Sequence, residues 1–97
     1  MIYLECKLVP YQREAEIIFT NQYLMPPVVT VSLCYNFLTP GEQEVTSYNI
    51  YPTIVYLIEQ NRGINKYRGI KVIWSGEIDT IYSAYISMMA VCRDDDN

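Results

Sequence analysis

The 97-residue sequence predicts an all-β fold, an antiparallel β-sandwich of six to seven short strands. Three observations carry that reading. Apolar residues recur at every second position in one segment after another, the period of a strand with two unlike faces. Pro, Gly, Asn and Ser punctuate the chain between those segments. Convincing helical periodicity is found nowhere, and 53–60 is the one stretch where a helix is not excluded.

Residues 2–8 form the first strand, with Ile2, Leu4, Cys6 and Leu8 alternating against Tyr3, Glu5 and Lys7, and Pro10 ends it. The second strand covers 14–20, with Ala15, Ile17 and Phe19 as its inward face. Asn21-Gln22 is turn-like, and Pro26-Pro27 holds the backbone extended into a third strand over 28–35. Val, Thr and Leu dominate that strand, and β-branched residues suit a pleated surface. A loop follows at 38–42, centred on Pro40-Gly41. Strand character returns over 45–50, pauses at Pro52 and continues over 53–58; Pro52 lacks an N–H and marks an edge, a bulge or a break. Residues 60–66 read as a polar excursion, 67–74 as a strand and Ser75-Gly76-Glu77 as a turn. The last strand, 80–91, alternates most regularly. Tyr82, Ala84, Ile86, Met88 and Ala90 share one face, and Ile81, Ser83, Tyr85, Ser87 and Met89 share the other.

Length and composition define one domain, residues 1–93, followed by an acidic tail, 94–97. Hydrophobic residues make up 51% of the chain and charged ones 19%, a globular balance. The net charge of −4 owes three of its units to Asp94, Asp95 and Asp96. No basic stripe is present, so nucleic acid is not an expected partner. No apolar run approaches the ~20 residues of a membrane span, and no signal peptide precedes the first strand. The expectation is therefore synthesis in the cytoplasm without membrane insertion. The cysteines, Cys6, Cys34 and Cys92, fall among apolar neighbours and are expected to be buried free thiols, with interchain pairing through Cys92 as the alternative. Ten tyrosines suit half-buried strand positions, oligomer interfaces and ligand surfaces alike.

The chain resembles the H-type lectin domain, the six-stranded β-sandwich of snail agglutinins and of the C-terminal part of discoidins. Ile17-Ile18-Phe19, then Tyr23, Pro26-Pro27-Val28-Val29 and Val31-Ser32-Leu33, is similar to that family's N-terminal signature. Val72-Ile73-Trp74, then Thr80-Ile81-Tyr82-Ser83 and Ile86-Ser87, is similar to its closing hairpin. The resemblance covers about residues 16–91. It departs from the family at Met88, where members carry Trp, and at Ser75, where sugar-binding members often carry a histidine. No arginine lies between Arg13 and Arg62 to match the family's sugar-contacting one. What the resemblance implies is a lectin-like sandwich that assembles as a homo-oligomer, a trimer or hexamer.

The chemistry open to these residues is that of binding. Histidine is absent, which removes the common triads and most metal sites, so neither an enzyme nor a metal or other cofactor is expected. Glu77 and Asp79 sit two apart and form either a carboxylate pair or a solvated turn. The candidate carbohydrate-binding residues are Trp74 as an indole platform, Ser75 as a hydroxyl, Gly76 for close approach, Glu77 and Asp79 as acceptors, and Tyr48 and Asn49 as a facing wall. Trp74 reads equally as a core or subunit-contact residue. The expected function is a non-catalytic module that recognises a cell-surface glycan or mediates attachment as an oligomer. The alternative is a structural virion component, a phage or viral tail-fibre, receptor-binding or decoration protein, whose partner is a host or virion surface protein.

Overall fold

The computed structural model describes residues 1–35, 50–76 and 84–93. Its six strands are β1 (Ile2–Pro10), β2 (Glu14–Tyr23), β3 (Val28–Tyr35), β4 (Tyr51–Asn61), β5 (Ile64–Ser75) and β6 (Ala84–Arg93). They form two antiparallel three-stranded sheets, sheet A in the order β1-β6-β3 and sheet B in the order β2-β5-β4. The all-β sandwich architecture is thus established, and 53–60 is strand. The segments expected at 38–42 and 45–49, and the tail 94–97, lie outside the described residues.

The core is built from period-two faces. Ala84, Ile86, Met88, Ala90 and Cys92 alternate along β6 and are all buried. Facing them are Ala15, Ile17 and Phe19 from β2, and Ile70, Val72 and Trp74 from β5. The central strands β5 and β6 supply the residues with no exposure at all: Ile70, Val72, Ile86, Met88 and Ala90. Burying an Ile or Met side chain of this kind contributes about 1.5–3 kcal/mol. Tyr56, Val29, Val31 and Leu33 close the β3–β4 side, where the Tyr56 hydroxyl donates to the Pro27 carbonyl across the sandwich.

Connections between sequence neighbours mostly cross from one sheet to the other. At the β1–β2 corner the Tyr11 N–H donates to the Ala84 carbonyl, and the Arg13 carbonyl accepts from the Trp74 N–H, both at 2.9 Å. Those two bonds extend both ladders into the corner. The closing hairpin expected from the family resemblance is not formed, because β5 and β6 lie in opposite sheets. Each has an apolar inner face and takes the central place in its own sheet, paired on both sides.

One true hairpin is present among the described residues. The polar stretch 60–66 is no excursion: β4 runs through Asn61 and β5 begins at Ile64, joined by Arg62-Gly63 alone. Both turn residues have positive φ, 54° and 76°, as a tight primed turn matched to strand twist requires. Pro52 lies in β4 at the edge of sheet B, where a missing N–H costs no ladder bond.

Two expectations on burial fail. Cys6 and Cys34 are exposed, and only Cys92 is buried. On β3 the core-facing set is Val29, Val31 and Leu33, so Cys34 falls on the other face. On β1 the inward set is Tyr3, Glu5, Lys7 and Val9, which leaves Ile2, Leu4, Cys6 and Leu8 pointing away from the core.

Gly69 sets the approach of β2 to β5. It pairs with Ile18, and a β-carbon built on it would collide with the Ile17 carbonyl oxygen. The Gly69→Ala chain is expected to lose about 1–3 kcal/mol, the usual cost of overpacking, read as a lower urea midpoint with an unchanged slope.

Candidate functional site

The ends of the sandwich differ in chemistry. At one end β5 finishes and β4 begins, and the register places Ser75 beside Tyr51. Adjacent cross-strand partners share a face, so the Ser75 hydroxyl and the Tyr51 ring lie together on the outer side of sheet B. Tyr51 is 60% exposed. One row inward on the same side are Thr53, Ile73 and Glu14. Glu14 accepts an ion pair from Lys71 at 3.5 Å. Gly76 follows at φ 117°, a backbone conformation that L side chains rarely adopt. An exposed aromatic ring, a hydroxyl, a glycine and a carboxylate are thereby collected on one rim.

Trp74 does not take part in that rim. Its indole is buried in the core, one residue out of phase with Ser75, and its Nε1–H meets no acceptor among the described residues. The core reading of Trp74 is therefore the one the fold realises, and no indole face is offered to a ligand. Ser75 and Gly76 do lie at the surface end of β5. Glu77, Asp79, Tyr48 and Asn49 lie outside the described residues. Tyr51 was missed by reasoning from sequence. Its signal is positional: it precedes Pro52, and it becomes conspicuous only once the β4–β5 register sets it opposite Ser75.

The opposite end holds a concavity of about 210 Å³, lined by Tyr3, Asn21, Tyr23, Met25, Cys92 and Arg93 among others. Beside it the two sheets are tied by a carboxylate. Glu5 reaches from β1 in sheet A to β2 in sheet B. There its Oε1 accepts from the Thr20 N–H at 2.8 Å, and its Oε2 accepts from the Tyr23 hydroxyl at 2.7 Å. The Asn21 backbone N–H and side-chain amide also donate to Oε2, both at 3.2 Å. The Lys7 ammonium donates to the Ile18 carbonyl. These main-chain groups lie where the β2–β5 register shifts, between Ile18 and Tyr23. Glu5 and Lys7 thus occupy the seam that an interrupted ladder leaves.

The titration of the pair follows from this geometry. Burial pushes the Glu5 carboxyl up, but hydrogen bonds from Tyr23, Thr20 and Asn21 and the charge of Lys7 outweigh it, so its pKa is lowered. Burial and the bond to Glu5 raise the Tyr23 hydroxyl, against the Asn21 bond that lowers it. Among the described residues, no three His, Cys, Asp or Glu side chains cluster as a metal site requires. No protein-family model, curated protein or solved structure matches the chain.

Because the Glu5 pKa is depressed on folding, its stabilisation is fully present above the ordinary glutamate range, near pH ~4.3. It is lost as pH falls through the lower, folded-state value. The wild-type chain is therefore expected to lose stability more steeply than Glu5→Gln on acidification below about pH 5, with the two curves converging at the acid end. Thermal melts of both proteins between pH 3 and pH 7 measure this, and parallel curves would contradict it.

Proposed function

We propose that the chain is a non-catalytic binding module, an H-type-lectin-like sandwich that recognises carbohydrate through the rim around Tyr51, Ser75 and Gly76. The observation that carries the reading is the pairing of an exposed tyrosine with a serine at the β4–β5 end. Sugar recognition needs an apolar ring for the C–H face of a pyranose and fixed polar groups for its hydroxyls. Tyr51 supplies the ring that the buried Trp74 does not. Ser75 supplies a hydroxyl, and Gly76 brings the backbone close. Glu77, Asp79, Tyr48 and Asn49 adjoin these residues in sequence and lie outside the described residues. The two antiparallel sheets of the described residues support the same assignment, since a β-sandwich is what the family resemblance implies, although its closing hairpin is not formed.

The second reading is assembly, as a tail-fibre, receptor-binding or decoration component of a virion whose partner is a virion or host surface protein. What favours an assembly role is the outer face of sheet A, which exposes Ile2, Leu4, Leu8, Val28 and Met89 where that of sheet B carries Glu14, Glu16 and Lys71.

A glycan array followed by calorimetry with the intact chain is expected to give saturable binding to a related set of saccharides. Tyr51→Ala is expected to weaken binding at least tenfold, about 1.4 kcal/mol, without lowering the melting temperature. Trp74→Ala tests the core instead, and is expected to cost about 3–5 kcal/mol of stability. No saccharide binding by the folded wild-type chain, with no retention on host or virion glycoproteins after deglycosylation controls, removes the lectin reading.

A further inference from the structure

β4 and β5 outrun the rest of the sandwich. The β2 ladder to β5 ends at Tyr23 and Tyr67, and Tyr56 reaches sheet A through the Pro27 carbonyl. Beyond these contacts the hairpin is an arm. Residues 58–65 are all exposed, and a β-carbon built on Gly63 meets nothing within 4 Å. The molecule is accordingly 56 Å long against 23 Å and 18 Å across. A two-stranded ribbon of this kind is marginal by itself in water and adds little to the core.

The arm is basic. Residues 58–68 carry Arg62, Lys66 and Arg68 against Glu59, a net charge of +2 in a chain of net −4. Arg68 is ion-paired with Glu59 at 3.3 Å, whereas Arg62 and Lys66 form no ion pair among the described residues. Gln60, Asn61 and Asn65 add amide groups beside them. Arg62 is also held at φ 54°, in the first position of the two-residue turn. Asn, Asp and Gly suit that position, and a long side chain with a β-carbon does not. The Arg62 side chain makes no bond among the described residues that would offset this. A disfavoured conformation without a structural return, at the far point of the molecule, is a sign of function.

We propose that the arm binds an anionic polysaccharide, a linear chain bearing carboxylate or sulfate groups. Arg62 takes one anionic group at the tip in a two-pronged hydrogen bond, and Lys66 and Arg68 meet the next along the strand. From Arg62 to Lys66 is four residues, roughly 13 Å, and from Lys66 to Arg68 two, roughly 7 Å. A polymer with charges recurring along its length lies across such a row, and the amides pair with its hydroxyls. The remainder of the chain, Asp94, Asp95 and Asp96 included, is acidic, so attraction is confined to the arm and screened by salt.

Other partners fit less well. Tyr67, the one aromatic residue of the arm, packs edge-on against Tyr56 at 5.5 Å and offers no platform to a nucleic-acid base. Three cations also fall short of the ~6–10 phosphate contacts of strong duplex binders. Ile58 and Ile64 point to opposite sides of the ribbon, so the arm has no apolar face for a bilayer or a protein. The site lies at the opposite end of the sandwich from Tyr51 and Ser75 and does not depend on them.

The test passes the full chain over immobilised heparin and immobilised polygalacturonate, at 50 mM and 500 mM sodium chloride. Saturable binding to at least one of them is expected at the lower salt, about tenfold weaker or more at the higher. Arg62→Asn decides the role of the tip, because asparagine suits the turn. This variant is expected to keep or raise the melting temperature while losing about tenfold in affinity, and adding Lys66→Gln extends the loss to about 50-fold. Binding to neither polysaccharide overturns the proposal, as does wild-type affinity in the double variant. A lowered melting temperature for Arg62→Asn also overturns it, by giving Arg62 a structural role. Tighter binding to duplex DNA or to phosphatidylserine vesicles than to either polysaccharide does the same.

Discussion

Everything in this structure hangs on β5 and β6, two central strands that bury opposing apolar faces. Ile70 and Val72 on one side and Ile86, Met88 and Ala90 on the other are wholly removed from water. A strand buried on one face and paired along both edges has its register fixed, since a slip of one residue turns the apolar set outward. With these two strands placed, the others are flanks. β2 and β4 take the edges of sheet B, and β1 and β3 those of sheet A. The crossings between sheets then follow, because no flank can pair with its sequence neighbour when that neighbour lies in the opposing layer.

Flanking strands solve a different problem, that of edges and irregularities. Along β2 the ladder to β5 is broken between Ile18 and Tyr23, and Gly69 is where the backbones come too close for a side chain. The chain answers with charge turned inward. Glu5 and Lys7, on the core side of β1, bind the main chain of β2 across the seam. An inward-pointing charge also blocks an edge to foreign strands. The cost is that β1 has little inward apolar surface to offer, so its apolar set is displaced to the outside of sheet A. The exposed ridge is thus a consequence of how the seam was closed.

This arrangement also leaves two surfaces of different chemistry. The rim at the β4–β5 end is polar and aromatic, whereas the outside of sheet A is apolar and uncharged apart from its margin. The sandwich supplies them because alternate residues of every strand point to opposite sides.

The sequence by itself determined the fold class, the inward face of β2, the two-faced alternation of β6 and the strand at 28–35, because their alternation is strict and the residues are large and apolar. It also located the surface end of β5 at Ser75 and Gly76, from the turn signal that follows Trp74. It left the phase of β1 ambiguous, since alternation states that two faces differ and not which faces the core. Cys6 and Cys34 were misassigned for that reason. The polar composition of 60–66 concealed a two-residue hairpin, because strands beyond the core have no apolar face to reveal them. Only the tertiary structure decided that β5 and β6 part into opposite sheets, that Trp74 is core and that Tyr51 stands beside Ser75. Those outcomes depend on pairings between residues far apart in the chain, and no local pattern encodes which strands meet.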